Sequence, residues 1–90
     1  MSAERSYRVS IKRSAEREMD TLPSQVLKRV ARTILGLEDE PRPSGCKKLR
    51  GVDEYRLRIG PYRVLYTVDD TIRSVEIVAV GHRREVYRDT

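Results

Sequence analysis

The sequence predicts an α+β domain, a small antiparallel sheet with two helices packed on one of its faces. Three observations carry this. The chain opens on a run that alternates apolar and polar residues. Two runs of helical spacing follow, and then three alternating runs joined by short turns. Ninety residues make a single domain, 1–90, around one modest core.

The first strand is Tyr7 to Lys12, with Tyr7, Val9 and Ile11 on one face and Arg8, Ser10 and Lys12 on the other. Ser14 then offers an N-cap for a short helix, Ala15 to Leu22, that turns Ala15, Met19 and Leu22 inward. Pro23 interrupts it and suits the first turn of a second helix, where its missing N–H costs nothing. That helix runs from about Pro23 to about Glu38, on a stripe of Leu27, Val30, Ala31, Ile34 and Leu37. Lys28, Arg29 and Arg32 fall off the stripe. They are either a solvated face or a further surface that tracks phosphates. Glu38-Asp39-Glu40, Pro41 and Pro43 close the helix and open a loop.

Ser44 to Arg50 leads into a turn at Gly51-Val52-Asp53. Tyr55 to Ile59 alternates again, with Tyr55, Leu57 and Ile59 on one face and Arg56 and Arg58 on the other. Gly60-Pro61 signals a tight turn, and Tyr62 to Val68 is the return strand. Asp69-Asp70-Thr71 turns the chain into Ile72 to Val80, rich in β-branched residues. The tail, Gly81 to Thr90, is polar apart from Val86 and Tyr87. Helices on one face leave the other open, and an open antiparallel sheet is a common platform for RNA.

The net charge of +5 and pI near 9.7 favour a polyanionic partner. The alternatives are an acidic partner protein or a surplus that serves solubility. Cys46 is the only cysteine, so no intramolecular disulfide and no cysteine-based metal site form, as suits a reducing cytoplasm. The N-terminus lacks the apolar run of a signal peptide. No segment approaches the ~20 apolar residues that span a bilayer. The expectation is a cytoplasmic protein with no membrane partner, no cofactor and no metal.

Arg56 and Arg58 lie two apart in a strand, so they point the same way about 7 Å apart. The tight turn brings Arg63 beside them. Arginines that pair with carboxylates are the bland reading, but no acidic residue lies between Tyr55 and Val68. Unpaired cations this close repel one another until an anion arrives, which favours a phosphate or an acidic protein. Arg83 and Arg84 follow Gly81-His82, and Tyr87 lies four residues beyond Arg83. His82 is the only histidine and has no cysteine cluster to make a metal site with. Tyr87 either packs the tail on the sheet or supplies a phenolic hydroxyl.

If the substrate is RNA, cleavage by attack of a 2′-hydroxyl needs three things. They are a base at that hydroxyl, positive charge on the phosphorane, and an acid at the leaving 5′-oxygen. Arginine serves the second role well and the others poorly, since its pKa lies above about 12. Tyr87 and His82 are the nearby candidates for proton transfer.

The strings KKLRG (Lys47 to Gly51), YRLRIGPYRVLY (Tyr55 to Tyr66) and VGHRREVYR (Val80 to Arg88) resemble, in this order and spacing, the RelE toxins of type II toxin–antitoxin modules. The likeness covers nearly the whole chain and implies the RelE-like microbial RNase fold. It further implies a metal-free, ribosome-dependent endoribonuclease that cuts mRNA in the ribosomal A site, leaves a 2′,3′-cyclic phosphate and stops translation. The implied partners are a cognate antitoxin, the ribosome and mRNA, with operator DNA bound by the toxin–antitoxin complex through the antitoxin. By position, the resemblance assigns Arg56, Arg58, Arg63, Arg83 and Tyr87 to the catalytic set, with His82 beside them in a less settled role. Lys47, Lys48, Arg50 and Arg84 become RNA-holding residues. Arg56 and Arg58 stand where the best-studied form has lysines. The charge survives the exchange, and a proton-transfer role at these positions does not. Two alternatives remain. One is a ParE-like toxin of the same fold acting on DNA gyrase. The other is a non-catalytic domain that binds RNA or a partner, with Tyr87 in its core.

Overall fold

The computed structural model describes residues 6–83. Its strands are β1 (Arg8–Ile11), β2 (Lys47–Lys48), β3 (Tyr55–Ile59), β4 (Tyr62–Asp69) and β5 (Ser74–His82). Its helices are α1 (Arg13–Asp20) and α2 (Ser24–Gly36). The strands form one sheet in the order β1-β5-β4-β3-β2. α1 packs against β5 and α2 against β3. The expected α+β architecture is present, but the sheet is mixed. β1 runs parallel to β5, with Val9 opposite Val75 and Ile11 opposite Ile77. The expected antiparallel sheet is thus corrected at β1, because alternation along a strand reports its faces and says nothing of its direction.

The N-terminal helix begins earlier than expected and without a Ser14 cap. The Lys12 N–H donates to the Ile77 carbonyl at 3.0 Å, which extends the ladder with β5 up to the helix. Lys12 therefore occupies the cap position, and Ser14 lies exposed in the first turn. Ala15 is fully buried, and Met19 and Leu22 pack against the core as their spacing predicts. Pro23 sits at the N-cap of α2, one position before the first turn. The helix stops at Gly36, and Leu37 is buried just beyond it.

One sheet face forms the core. Leu57, Ile59, Val64, Tyr66, Val75, Ile77 and Val80 pack there against Ala15, Val30, Ile34 and Leu37. The Tyr66 hydroxyl donates to the Pro41 carbonyl at 2.8 Å, which fixes the loop after α2 and leaves the hydroxyl satisfied. Burial pushes that phenol well above its ordinary pKa.

The same loop is tied at the surface. Arg42 donates to both Asp70 carboxylate oxygens, at 3.2 and 2.9 Å, and through Nε to the Tyr55 hydroxyl at 3.0 Å. The Tyr7 hydroxyl donates to the same carboxylate at 2.6 Å. Arg42, and then Tyr7, hold the Asp70 carboxyl below the usual carboxylate range.

β4 and β5 are out of simple step. Leu65 faces Ala79, but the next residue, Tyr66, faces Ile77, so Val78 is an extra residue in β5. This bulge changes which residues face the helices. Val75 and Ile77 face the core before it, and Val80 after it.

Candidate nucleic-acid interface

The face away from the helices is built by register. Directly opposed residues on neighbouring strands share a face. One row across the sheet is Lys47, Arg56, Leu65 and Ala79, and the next is Arg58, Arg63 and Gly81. The structure thus brings together Arg56, Arg58, Arg63 and Lys47. Ala79 and Gly81 keep the β5 side of this face low. Glu76 continues the face farther along, opposite Thr67 on one side and Ser10 on the other.

A tight turn sets the geometry. Gly60 has φ +59°, and Pro61 follows it. Glycine at positive φ in the first position of a two-residue loop matches the twist of a hairpin. The turn places Arg58 and Arg63 as direct partners. Arg63 is 8% exposed and donates Nη1 to the carbonyls of Gly60 and Tyr62, at 3.2 and 3.1 Å. Its Nε is buried and has no hydrogen-bond partner, and the same holds for the Nε of Arg56. Among the described residues, no carboxylate pairs with Arg56, Arg58 or Arg63. Buried guanidinium donors without acceptors are costly, and exposed Arg58 beside them is the member of the trio that an incoming anion meets directly.

Arg83 is held at the rim. Its backbone N–H donates to the Pro61 carbonyl at 2.9 Å, so the end of β5 is pinned to the β3–β4 turn. The β3–β4 hairpin meets the end of β5 through this bond and through the pairs Tyr62–His82 and Arg63–Gly81.

Other sequence candidates are separated. His82 opposes Tyr62, whose other partner is core residue Ile59. It therefore lies on the helix side of the sheet, away from Arg58 and Arg63. Its ring meets Tyr62 edge-on, with centroids 5.7 Å apart. Both line a cavity of about 330 Å³ with Glu18, Thr21, Leu22, Val80 and Gly81. The bulge at Val78 is the reason. Strict alternation from Ile77 would have put His82 on the arginine face. Lys48 opposes Tyr55 on the helix side and reaches Asp53 at 3.5 Å, so the basic stretch is split and Lys47 alone joins Arg56. Arg50 is exposed in the loop after β2. Arg84 and Tyr87 lie outside the described residues.

Sequence reasoning missed two features. β2 is too short to alternate visibly, and Glu76 was not assigned to the open face. The pairing of β1, β5 and β4 supplies that assignment, and no local signal in the sequence does.

Among the described residues, no helix is long and apolar enough to cross a membrane. Comparison with known proteins gives a consistent family. Residues 9–87 match the family described as the ParE toxin of the type II toxin–antitoxin system parDE. The chain is 36% identical over 85 residues to toxin RelG of Mycobacterium tuberculosis, covering 91% of this chain and 97% of that one. It is 34% identical over 91 residues to toxin RelE of the same organism, covering 98% and 93%. It resembles the structure of an archaeal RelE–RelB complex from Pyrococcus horikoshii with a TM-score of 0.80 at 31% identity, covering 89% of this chain and 98% of that one.

Proposed function

The chain belongs to the RelE/ParE superfamily of type II toxin–antitoxin toxins, and from that premise we propose that it is a ribosome-dependent endoribonuclease that cuts mRNA in the ribosomal A site. The observation that carries the reading is the sheet face away from the helices. Arg56, Arg58 and Arg63 gather there without carboxylate partners among the described residues, and two buried guanidinium nitrogens lack acceptors. A phosphodiester supplies the counter-charge that these arginines lack.

The reaction is attack of the 2′-oxygen on the adjacent phosphorus. The 2′-oxygen–phosphorus bond forms and the phosphorus–5′-oxygen bond breaks. The products are a 2′,3′-cyclic phosphate and a 5′-hydroxyl. Arg58 and Arg63 offset the charge that develops on the phosphorane. Arg83, at the rim of the turn, holds the strand across them. The proton leaves the 2′-hydroxyl to a group other than these arginines, since a guanidinium donates hydrogen bonds and has no lone pair to accept a proton with. His82, on the helix side, is not placed for that role, so the proton transfers fall to Tyr87, to water or to groups of the ribosome. Such a site depends on a partner to place the substrate. The chain works in the cytoplasm, needs no cofactor and is held inactive by a cognate antitoxin, as the RelE–RelB complex of the archaeal relative suggests. That antitoxin, with the toxin bound, would also bind operator DNA.

A second reading is action on DNA gyrase, and the family description as a ParE toxin favours it. Primer extension on mRNA from cells expressing the chain separates the two. In-frame cuts that vanish when translation is blocked support the nuclease. Intact mRNA with gyrase-linked DNA breaks supports the gyrase poison and overturns it.

A further inference from the structure

A further basic surface lies on α2, on the helix layer, outside the arginine face. Lys28, Arg29 and Arg32 are all exposed, and no acidic residue occurs between Ser24 and Gly36. Arg29 and Arg32 stand three apart and Lys28 and Arg32 four apart, so like charges neighbour one another along the helix, an arrangement that opposes helix formation. None of the three makes an ion pair among the described residues.

This surface reaches the candidate site. A side-chain carbon built on Gly60 would lie 3.9 Å from Nη1 of Arg29. Gly60 belongs to the turn whose next residue, Pro61, holds Arg83 and whose carbonyl accepts from Arg63. Cations thus run from the open face, around the turn, onto α2. The two faces point away from each other on opposite sides of the sheet, so one strand threading Arg58 and Arg63 does not also lie along α2. A separate backbone is needed.

We infer that the Lys28–Arg29–Arg32 face of α2 binds the phosphate backbone of base-paired RNA while the arginine face takes the strand to be cut. α2 offers no aromatic side chain on which unpaired bases would stack. Charge at fixed spacing on a rigid helix suits an A-form duplex, which is read by its backbone and shape. The inference rests on the reading of the chain as an RNA-directed toxin and assigns its structured RNA contact to named residues.

The test is fluorescence anisotropy of the full chain with a labelled RNA duplex of about 16 base pairs, titrated between about 50 and 200 mM salt. The variant Lys28→Gln/Arg29→Gln/Arg32→Gln keeps helix-forming residues at exposed sites. It should lower the slope of log affinity on log salt by about 3, one for each cation. An unchanged slope overturns the inference and leaves mRNA cutting to be judged on its own. A lowered slope in a chain that cuts no mRNA supports the α2 surface and overturns the nuclease reading. An unchanged slope together with lost binding of a poly-glutamate peptide makes the face a dock for acidic protein, and that also overturns the inference.

Discussion

Arg58 on β3 and Arg63 on β4 are direct register partners, so two guanidinium side chains stand opposite each other on one face of the sheet. Like charges so placed work against the fold. The two are not equivalent. Arg63 is buried and bonded to the turn carbonyls, whereas Arg58 is exposed. Arg58 is thus the member that can be removed without opening the interior.

Arg58→Gln should stabilise the isolated chain while weakening its hold on RNA. Relief of one opposed pair is worth up to about 0.5 kcal/mol, or roughly 2–4 °C in Tm for a domain of this size. Thermal unfolding checks the first effect and primer extension the second. A fall in Tm would mean that Arg58 is held by contacts that outweigh the repulsion.

Arg63→Ala should abolish growth inhibition and also cost stability, by about 1–2 kcal/mol, because hydrogen bonds to two carbonyls are lost. Thermal unfolding of the variant therefore has to accompany the growth assay. Arg83→Ala is the cleaner variant, since Arg83 is exposed and is tethered through its backbone. It should lose growth inhibition with Tm within about 2 °C of the parent. Full toxicity of both variants would remove these arginines from the site.

Much of this relationship is legible in the sequence. Alternation in Tyr55 to Ile59 and the Gly60-Pro61 turn by themselves place Arg56, Arg58 and Arg63 together. The separation of His82 is not legible, because it depends on the one-residue bulge at Val78 and every residue after a bulge changes face. The parallel pairing of β1 escapes for a similar reason. It joins residues more than sixty positions apart, and no local pattern encodes a partner that distant. The missed cap at Ser14 is tertiary too, since the Lys12–Ile77 bond commits the chain to enter its helix early.

Tyr66→Phe should destabilise the fold by about 1–2 kcal/mol, because the Pro41 carbonyl loses its buried donor while the ring is retained. The expected fall in Tm is on the order of 4–16 °C. A shift below about 2 °C would show that water replaces the hydroxyl.

Acid should loosen the tie between Asp70, Arg42 and Tyr7. The Asp70 carboxyl is held below its ordinary value of 3.8, so the folded state binds its proton less readily than the unfolded one. Its contribution is therefore present above that ordinary value and lost as pH falls through the lower folded value. Asp70→Asn should flatten the acid limb of a plot of Tm against pH below about 4 and shift the neutral plateau only slightly, since the group is at the surface. An acid limb as steep as the parent's would assign it to other carboxylates.

Glu18 on α1 completes the edge of β5 where β1 has ended. Its Oε1 accepts the Val80 N–H at 2.8 Å, beyond the last β1 partner at Ile77. Gly81 and Arg83 follow directly, so this carboxylate steadies the segment that presents Arg83 to the turn. Glu18→Gln retains an acceptor and should leave the Val80 amide protected from hydrogen exchange. Glu18→Ala removes the acceptor, and exchange at Val80 should quicken by roughly tenfold, equivalent to about 1.4 kcal/mol of lost local protection. The same variant should weaken mRNA cutting through looser placement of Arg83, with the arginines themselves unchanged. Equal exchange at Val80 in the Gln and Ala variants would show that α1 packing, and not this hydrogen bond, holds the end of β5 in place.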